Sequence, residues 1–148
     1  MMSLAFGAFF LLALLTYSPE DPSWGYVGPR DSAINAGGPV GAWFASVLFA
    51  LVGIMAYIFP LMISWAGYLI FRERDKETKN SYLTAIRWIG FFLILIGSTG
   101  LSALHVKAGI FLPEGSGGIL GHAGMDITVA ILSAVGSTIL MLSALLIG

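Results

Sequence analysis

The few charged side chains of this chain, 10% of its residues, are gathered into short runs, and long uncharged stretches lie between them. A bilayer core of ~30 Å asks for about 20 apolar residues in a helix. Four stretches meet or approach that demand: Met1 to Tyr17, Val40 to Phe71, Tyr82 to Val106, and Ile119 to Gly148. A soluble domain carries about 25% charged residues, so a chain that is 57% hydrophobic with this distribution belongs in lipid. Inside hydrocarbon each backbone polar group must be paired within its own segment, and the period-2 alternation of barrel strands is missing, which leaves helices. The expected fold is an all-α membrane protein of four transmembrane helices, with the lipid bilayer as its first partner.

Charge sets the orientation and excludes several functions. Arg72, Arg74, Lys76 and Lys79 hold four of the seven basic residues in one short loop, and Arg87 follows just inside the third span. Cytoplasmic loops retain positive charge, so this loop and both chain ends are expected in the cytoplasm, with Arg30 and Lys107 in the two outer loops. A net charge of −1 with no basic patch gives nothing to neutralise a run of phosphates, so this stretch is not expected to contact nucleic acid. Without cysteine there is no disulfide framework and no thiolate metal site.

Both ends read as those of a fragment. The first span offers about 17 residues, ~25 Å of helix, with no basic residue ahead of it. A signal peptide would need a charged start and a small-residue cleavage site, and Leu15-Thr16-Tyr17-Ser18-Pro19 supplies neither. The other end stops at Leu145-Leu146-Ile147-Gly148 without a polar flank.

Two loop motifs stand out. In Ser18-Pro19-Glu20-Asp21-Pro22-Ser23-Trp24, Ser18 and Asp21 have capping-box spacing, Pro22 ends any helix at once, and Trp24 is suited to the headgroup region. In Asn35-Ala36-Gly37-Gly38-Pro39, two glycines precede a proline suited to a first helical turn, which launches the second span. On that span Ala42, Ser46, Gly53, Ala56, Pro60, Ser64 and Gly67 fall within about 40° of one line at 100° per residue, with Phe49 intruding. Lipid tails provide no hydrophobic drive for helices to associate, so a small face of this kind is expected to be a helix-packing or oligomer contact, kinked at Pro60. Gly90 and Gly97 repeat the device weakly on the third span.

Ionisable groups within the spans are scarce. Arg87 can snorkel and His105 can anchor at an interface beside Lys107. His122 and Asp126 lie one turn apart on a face shared with Ser133, opposite Leu120, Ile127 and Ile131, which gives a short amphipathic periplasmic helix rather than a metal site. Ile119 to Ile147 as one helix would reach ~43 Å, too long for the bilayer core, so a break near Gly136-Ser137-Thr138 is expected. The fourth span is then about 136–148, with a tilted span over 127–147 as the alternative. No acidic residue lies at the centre of a span and no inverted repeat is visible, so a channel or transporter subunit is disfavoured. A free-standing membrane scaffold remains the other alternative.

Taken in order, the Asp21-Pro22-Ser23-Trp24 turn, Asn35 through Trp43, Ala56-Tyr57-Ile58-Phe59-Pro60 and Gly136-Ser137-Thr138 resemble the amino-terminal four-helix membrane domain of the FtsK/SpoIIIE family of bacterial DNA translocases. The resemblance covers nearly the whole chain. It implies a membrane anchor in the bacterial inner membrane at the division septum, acting in cell division and chromosome segregation, oligomeric and hexameric like the family's motor, and in contact with other divisome membrane proteins. The family's ATP-driven motor and DNA-reading domain are not in this sequence. No Gly-x-x-x-x-Gly-Lys-Ser/Thr motif occurs, so no enzyme activity, catalytic residue or cofactor is expected here, with ATP and magnesium confined to the motor.

Overall fold

The computed structural model describes residues 2–23, 33–72, 81–107 and 112–148. Among these there is no strand, only helix: α1 (Met2–Leu15), α2 (Gly38–Val52), a 3₁₀ segment (Gly53–Tyr57), α3 (Ile58–Arg72), α4 (Ser81–His105) and α5 (Gly118–Ile147). Three segments, Gly38–Leu69, Ala85–His105 and Gly118–Ile147, are long and apolar enough to cross a membrane, and Leu4–Leu15 is a shorter apolar helix. Their outward side chains suit lipid, as Leu61 at 67%, Trp65 at 64% and Ile131 at 74% exposure illustrate. The chain divides into two compact units, Met1–Leu48 with Ala56–Thr78, and Phe49–Met55 with Lys79–Gly148.

In the first unit α1 and α3 run antiparallel. Gly7 allows the approach: a Cβ there would sit 3.0 Å from the Pro60 carbonyl oxygen and closer still to Ser64 Oγ. At the other end of α1 the Tyr57 hydroxyl donates to the Leu14 carbonyl, 3.5 Å away. The beginning of α2 lies at that same end, since a Cβ on Gly41 would be 3.2 Å from Ala13 Cβ. In one straight helix Gly41 and Pro60 would be separated by about 28 Å, whereas Ala13 and Gly7 lie only about 9 Å apart along α1. The stretch Val40 to Phe71 is therefore not one straight span.

The turn falls at Gly53, which has φ 59° and opens the 3₁₀ segment. This corrects the expected kink at Pro60. Pro60 is the third residue of α3, where its missing N–H is one that the helix start leaves unpaired anyway. A change of both phase and direction at Gly53 also means that the small residues of this stretch do not form one continuous stripe.

In the second unit α4 and α5 repeat the antiparallel contact. A Cβ on Gly97 would sit 2.7 Å from the Met141 carbonyl oxygen, and one on Gly90 2.8 Å from that of Gly148. α5 is interrupted as expected, but at Ser133 (φ 63°, ψ 172°), three residues before Gly136. The interruption is sharp. Gly121 packs on the Thr99 carbonyl and on Ala103, while Met141 packs on Gly97 and Gly100, a stretch of α4 about 9 Å long. A straight α5 would hold Gly121 and Met141 about 30 Å apart.

Candidate functional site

Helix ends, where backbone groups lose their intrahelical partners, gather Asp21 and Asn35 at one junction and Ser102 and Ser116 at another. At the first, Asp21 and Asn35 are 3% and 4% exposed in an otherwise apolar setting. Burying a carboxylate demands compensation. Here the Ile34 N–H donates to Asp21 Oδ1 at 2.7 Å and the Asn35 N–H to Oδ2 at 2.9 Å. Asn35 in turn donates from Nδ2 to the Ala13 carbonyl at 2.7 Å, and its Oδ1 accepts from the Gly37 N–H at 2.8 Å. Thr16 Oγ1 donates to the Leu12 carbonyl and accepts from the Ala36 N–H, joining the end of α1 to the approach to α2. Gly38, at φ 66°, then turns the chain into α2.

The capping-box reading of Ser18 and Asp21 is thereby corrected. Ser18 Oγ accepts from the Glu20 N–H at 3.3 Å, and residues 19–23 form a turn and not a helix. Asp21 reaches instead across thirteen and fourteen residues. Pro22 and Ser23 are half-buried beside it, Gly37 and Gly38 are half-buried at the start of α2, and Trp24 lies outside the described residues, as do Arg30, Arg74, Lys76 and Lys79.

The second junction joins the end of α4 to the start of α5. Ser102 and Ser116 exchange hydrogen bonds: Ser102 Oγ donates to the Ser116 carbonyl at 3.0 Å, and Ser116 Oγ to the Ser102 carbonyl at 2.8 Å and that of Val106 at 2.6 Å. The Ser116 carbonyl also accepts from the Ile54 N–H at 2.9 Å, pairing a donor that the turn at Gly53 frees. Only glycine permits this approach, because a Cβ at Gly53 would collide with the Ser116 carbonyl and one at Gly118 would lie 2.6 Å from the Leu51 carbonyl oxygen. Nothing in the motifs singled out from sequence pointed to Ser102, Ser116, Gly117, Gly118 or Gly121; the Gly-Ser-Gly-Gly run at 115–118 was the available signal.

Of the small residues expected to form a packing face, Ala42, Ser46, Gly53, Ala56, Pro60 and Gly97 are buried, and Ser64, Gly67 and Gly90 are half-buried. Several serve contacts within the chain: Pro60 and Ser64 against Gly7, Gly53 against Ser116, Gly97 and Gly90 against α5. Gly7 itself was missed, since α1 carries no small stripe to mark it.

The ionisable groups are dispersed. His105, at the end of α4, lies 2.9 Å from Thr138 Oγ1, whose own hydrogen goes to the Ala134 carbonyl, so His105 Nε2 is the donor. His122 is half-buried; Asp126, Lys107 and Arg87 are exposed. Among the described residues no three His, Cys, Asp or Glu side chains converge on a metal position. Both junctions spend their donors and acceptors on the backbone, so what they do chemically is fix the angles at which helices leave the loops.

The family of the 4TM region of DNA translocase FtsK/SpoIIIE matches the chain over residues 1–148. The chain is 33% identical to a DNA translocase FtsK of Pseudomonas syringae pv. syringae over 98% of its own length and 19% of that protein's. It is 35% identical to the FtsK of Pseudomonas putida over 93% of the chain and 16% of the relative. To FtsK 2 of Ralstonia nicotianae it is 37% identical, over 94% and 19%. The chain thus spans about a fifth of the length of these relatives, and no solved structure matches it.

Proposed function

This chain belongs to the family of the 4TM region of FtsK/SpoIIIE DNA translocases, and on that premise we propose that it anchors a septal DNA translocase in the bacterial inner membrane during division and chromosome segregation. The observation that carries the reading is the match over the full 148 residues, on a chain whose helices expose apolar side chains along their length. The region matched is the membrane region and not a motor, so no catalysis is assigned to these residues. ATP hydrolysis, magnesium and DNA contact belong in this reading to the remaining four-fifths of such a protein.

The basic run from Arg72 to Lys79 supports placing that loop and both ends in the cytoplasm. Oligomerisation and contact with other division proteins are proposed for the part of α3 not consumed inside the chain: Gly67 is half-buried beside the exposed Leu61, Trp65 and Tyr68. Weak contacts of this kind gain strength when several copies are tethered together. The test is a fluorescent fusion of the 148-residue chain in dividing cells. Accumulation at midcell is expected, and an even distribution around the envelope would overturn the septal reading.

A further inference from the structure

Two stretches of the chain, α1 to α3 and α4 to the end of α5, share a plan that sequence similarity does not display. Gly38 and Gly118, eighty positions apart, both have positive φ, at 66° and 63°, and both donate to the carbonyl three residues earlier, Asn35 and Gly115. Gly41 and Gly121 each donate to the carbonyl of Gly37 and Gly117, at 3.1 and 3.0 Å. Fifteen residues of helix follow in each case. Each run then meets positive φ at the same offset, Gly53 at 59° and Ser133 at 63°.

The helices ahead of these runs correspond as well, at an offset of ninety because the loops differ in length. Gly37 and Gly41 face Ala13; Gly117 and Gly121 face Ala103. Gly7 receives Pro60 and Ser64, as Gly97 receives Met141 and Leu145. Tyr57 bonds near the end of α1, and Thr138 near the end of α4. A chance likeness between two helical hairpins would not reproduce the same glycines, the same signs of φ and the same contacts in one order.

We propose that the chain is a tandem repeat of one motif, crossing helix, lateral helix, returning helix, and that α2 and the first part of α5 (118–132) are its two lateral helices, docked on lipid instead of crossing it. The crossing helices are then α1, α3, α4 and the last part of α5 (134–147). Lipid is the occupant because their outward residues are apolar: Val40, Trp43 and Leu51 on α2, Leu120, Ile127 and Ile131 on α5.

Depth measurement tests this, independently of any role in division. The chain has no cysteine, so spin labels can be placed singly at Val40, Leu51, Leu120 and Ile131, all exposed, in the chain reconstituted in phospholipid vesicles. Oxygen and nickel-chelate accessibility then report depth. Val40 and Leu51 are expected at nearly equal depth, and so are their counterparts Leu120 and Ile131. A helix that crosses the bilayer would separate either pair by about 16 Å along the normal. Such a separation in the first pair or in the second overturns the proposal.

Discussion

Gly53 and Ser133 both hold positive φ, at 59° and 63°, yet only one of them is glycine. An L-residue held there costs on the order of 1–3 kcal/mol, and Ser133 bears that cost while its carbonyl accepts from Ser137 Oγ. Ser133→Gly should therefore stabilise the protein by about 1 kcal/mol, read as a higher midpoint in detergent or urea unfolding. Gly53→Ala should act in the opposite sense. The backbone conformation alone costs about 1–2 kcal/mol, and the added methyl meets the Ser116 carbonyl, so unfolding at markedly lower denaturant is expected. Asp21→Asn keeps the shape but supplies one acceptor oxygen where two backbone N–H groups need one each. The orphaned donor should cost about 1–3 kcal/mol in the same assay. Residue choice was legible here without its reason: Asp21 and Asn35 stand out from composition and spacing, but a bond across fourteen residues leaves no local pattern.

At the scale of elements, a helix is specified by its neighbours as much as by its own propensity. The period and apolarity of Val40 to Phe71 are those of one long span, and no charged residue marks the place where it turns. The turn depends on a distant carbonyl, Ser116, that pairs the freed Ile54 N–H, and proline misleads because its penalty vanishes in a first helical turn. In α5, by contrast, length alone exposed the break, since ~43 Å of helix exceeds the bilayer core. Gly97 shows what holds the pieces together. Gly97→Leu drives a bulky side chain against the Met141 carbonyl and the Leu145 backbone, and backbone proximity is a main source of affinity in lipid. It should lower the thermal midpoint in detergent by far more than Ile96→Leu, on a side of α4 that is 50% exposed.

For the whole molecule, class and family were accessible from charge distribution and ordered motifs, whereas the duplicated plan was not, because the two halves share a few glycines and an alanine but little else. Backbone conformation carries the likeness, and many side chains can satisfy it. Orientation is the prediction that belongs at this scale. A Lys76→Cys variant should resist an impermeant thiol reagent in cells with a permeabilised outer membrane and react once the inner membrane is opened. Labelling from outside would reverse the assignment of both ends.

The buried hydroxyls have one further consequence. Ser98 and Thr99 donate to the Leu95 carbonyl, Ser102 and Ser116 to each other's carbonyls, and Ser137 to that of Ser133. Every such hydrogen ends on a carbonyl oxygen a few ångströms away and cannot be handed onward, so these groups close local loops instead of forming a file along which protons could hop. Vesicles holding the chain should keep an imposed pH gradient as long as empty ones do. A membrane assembly could then collect many copies of this domain at one place without draining the proton-motive force.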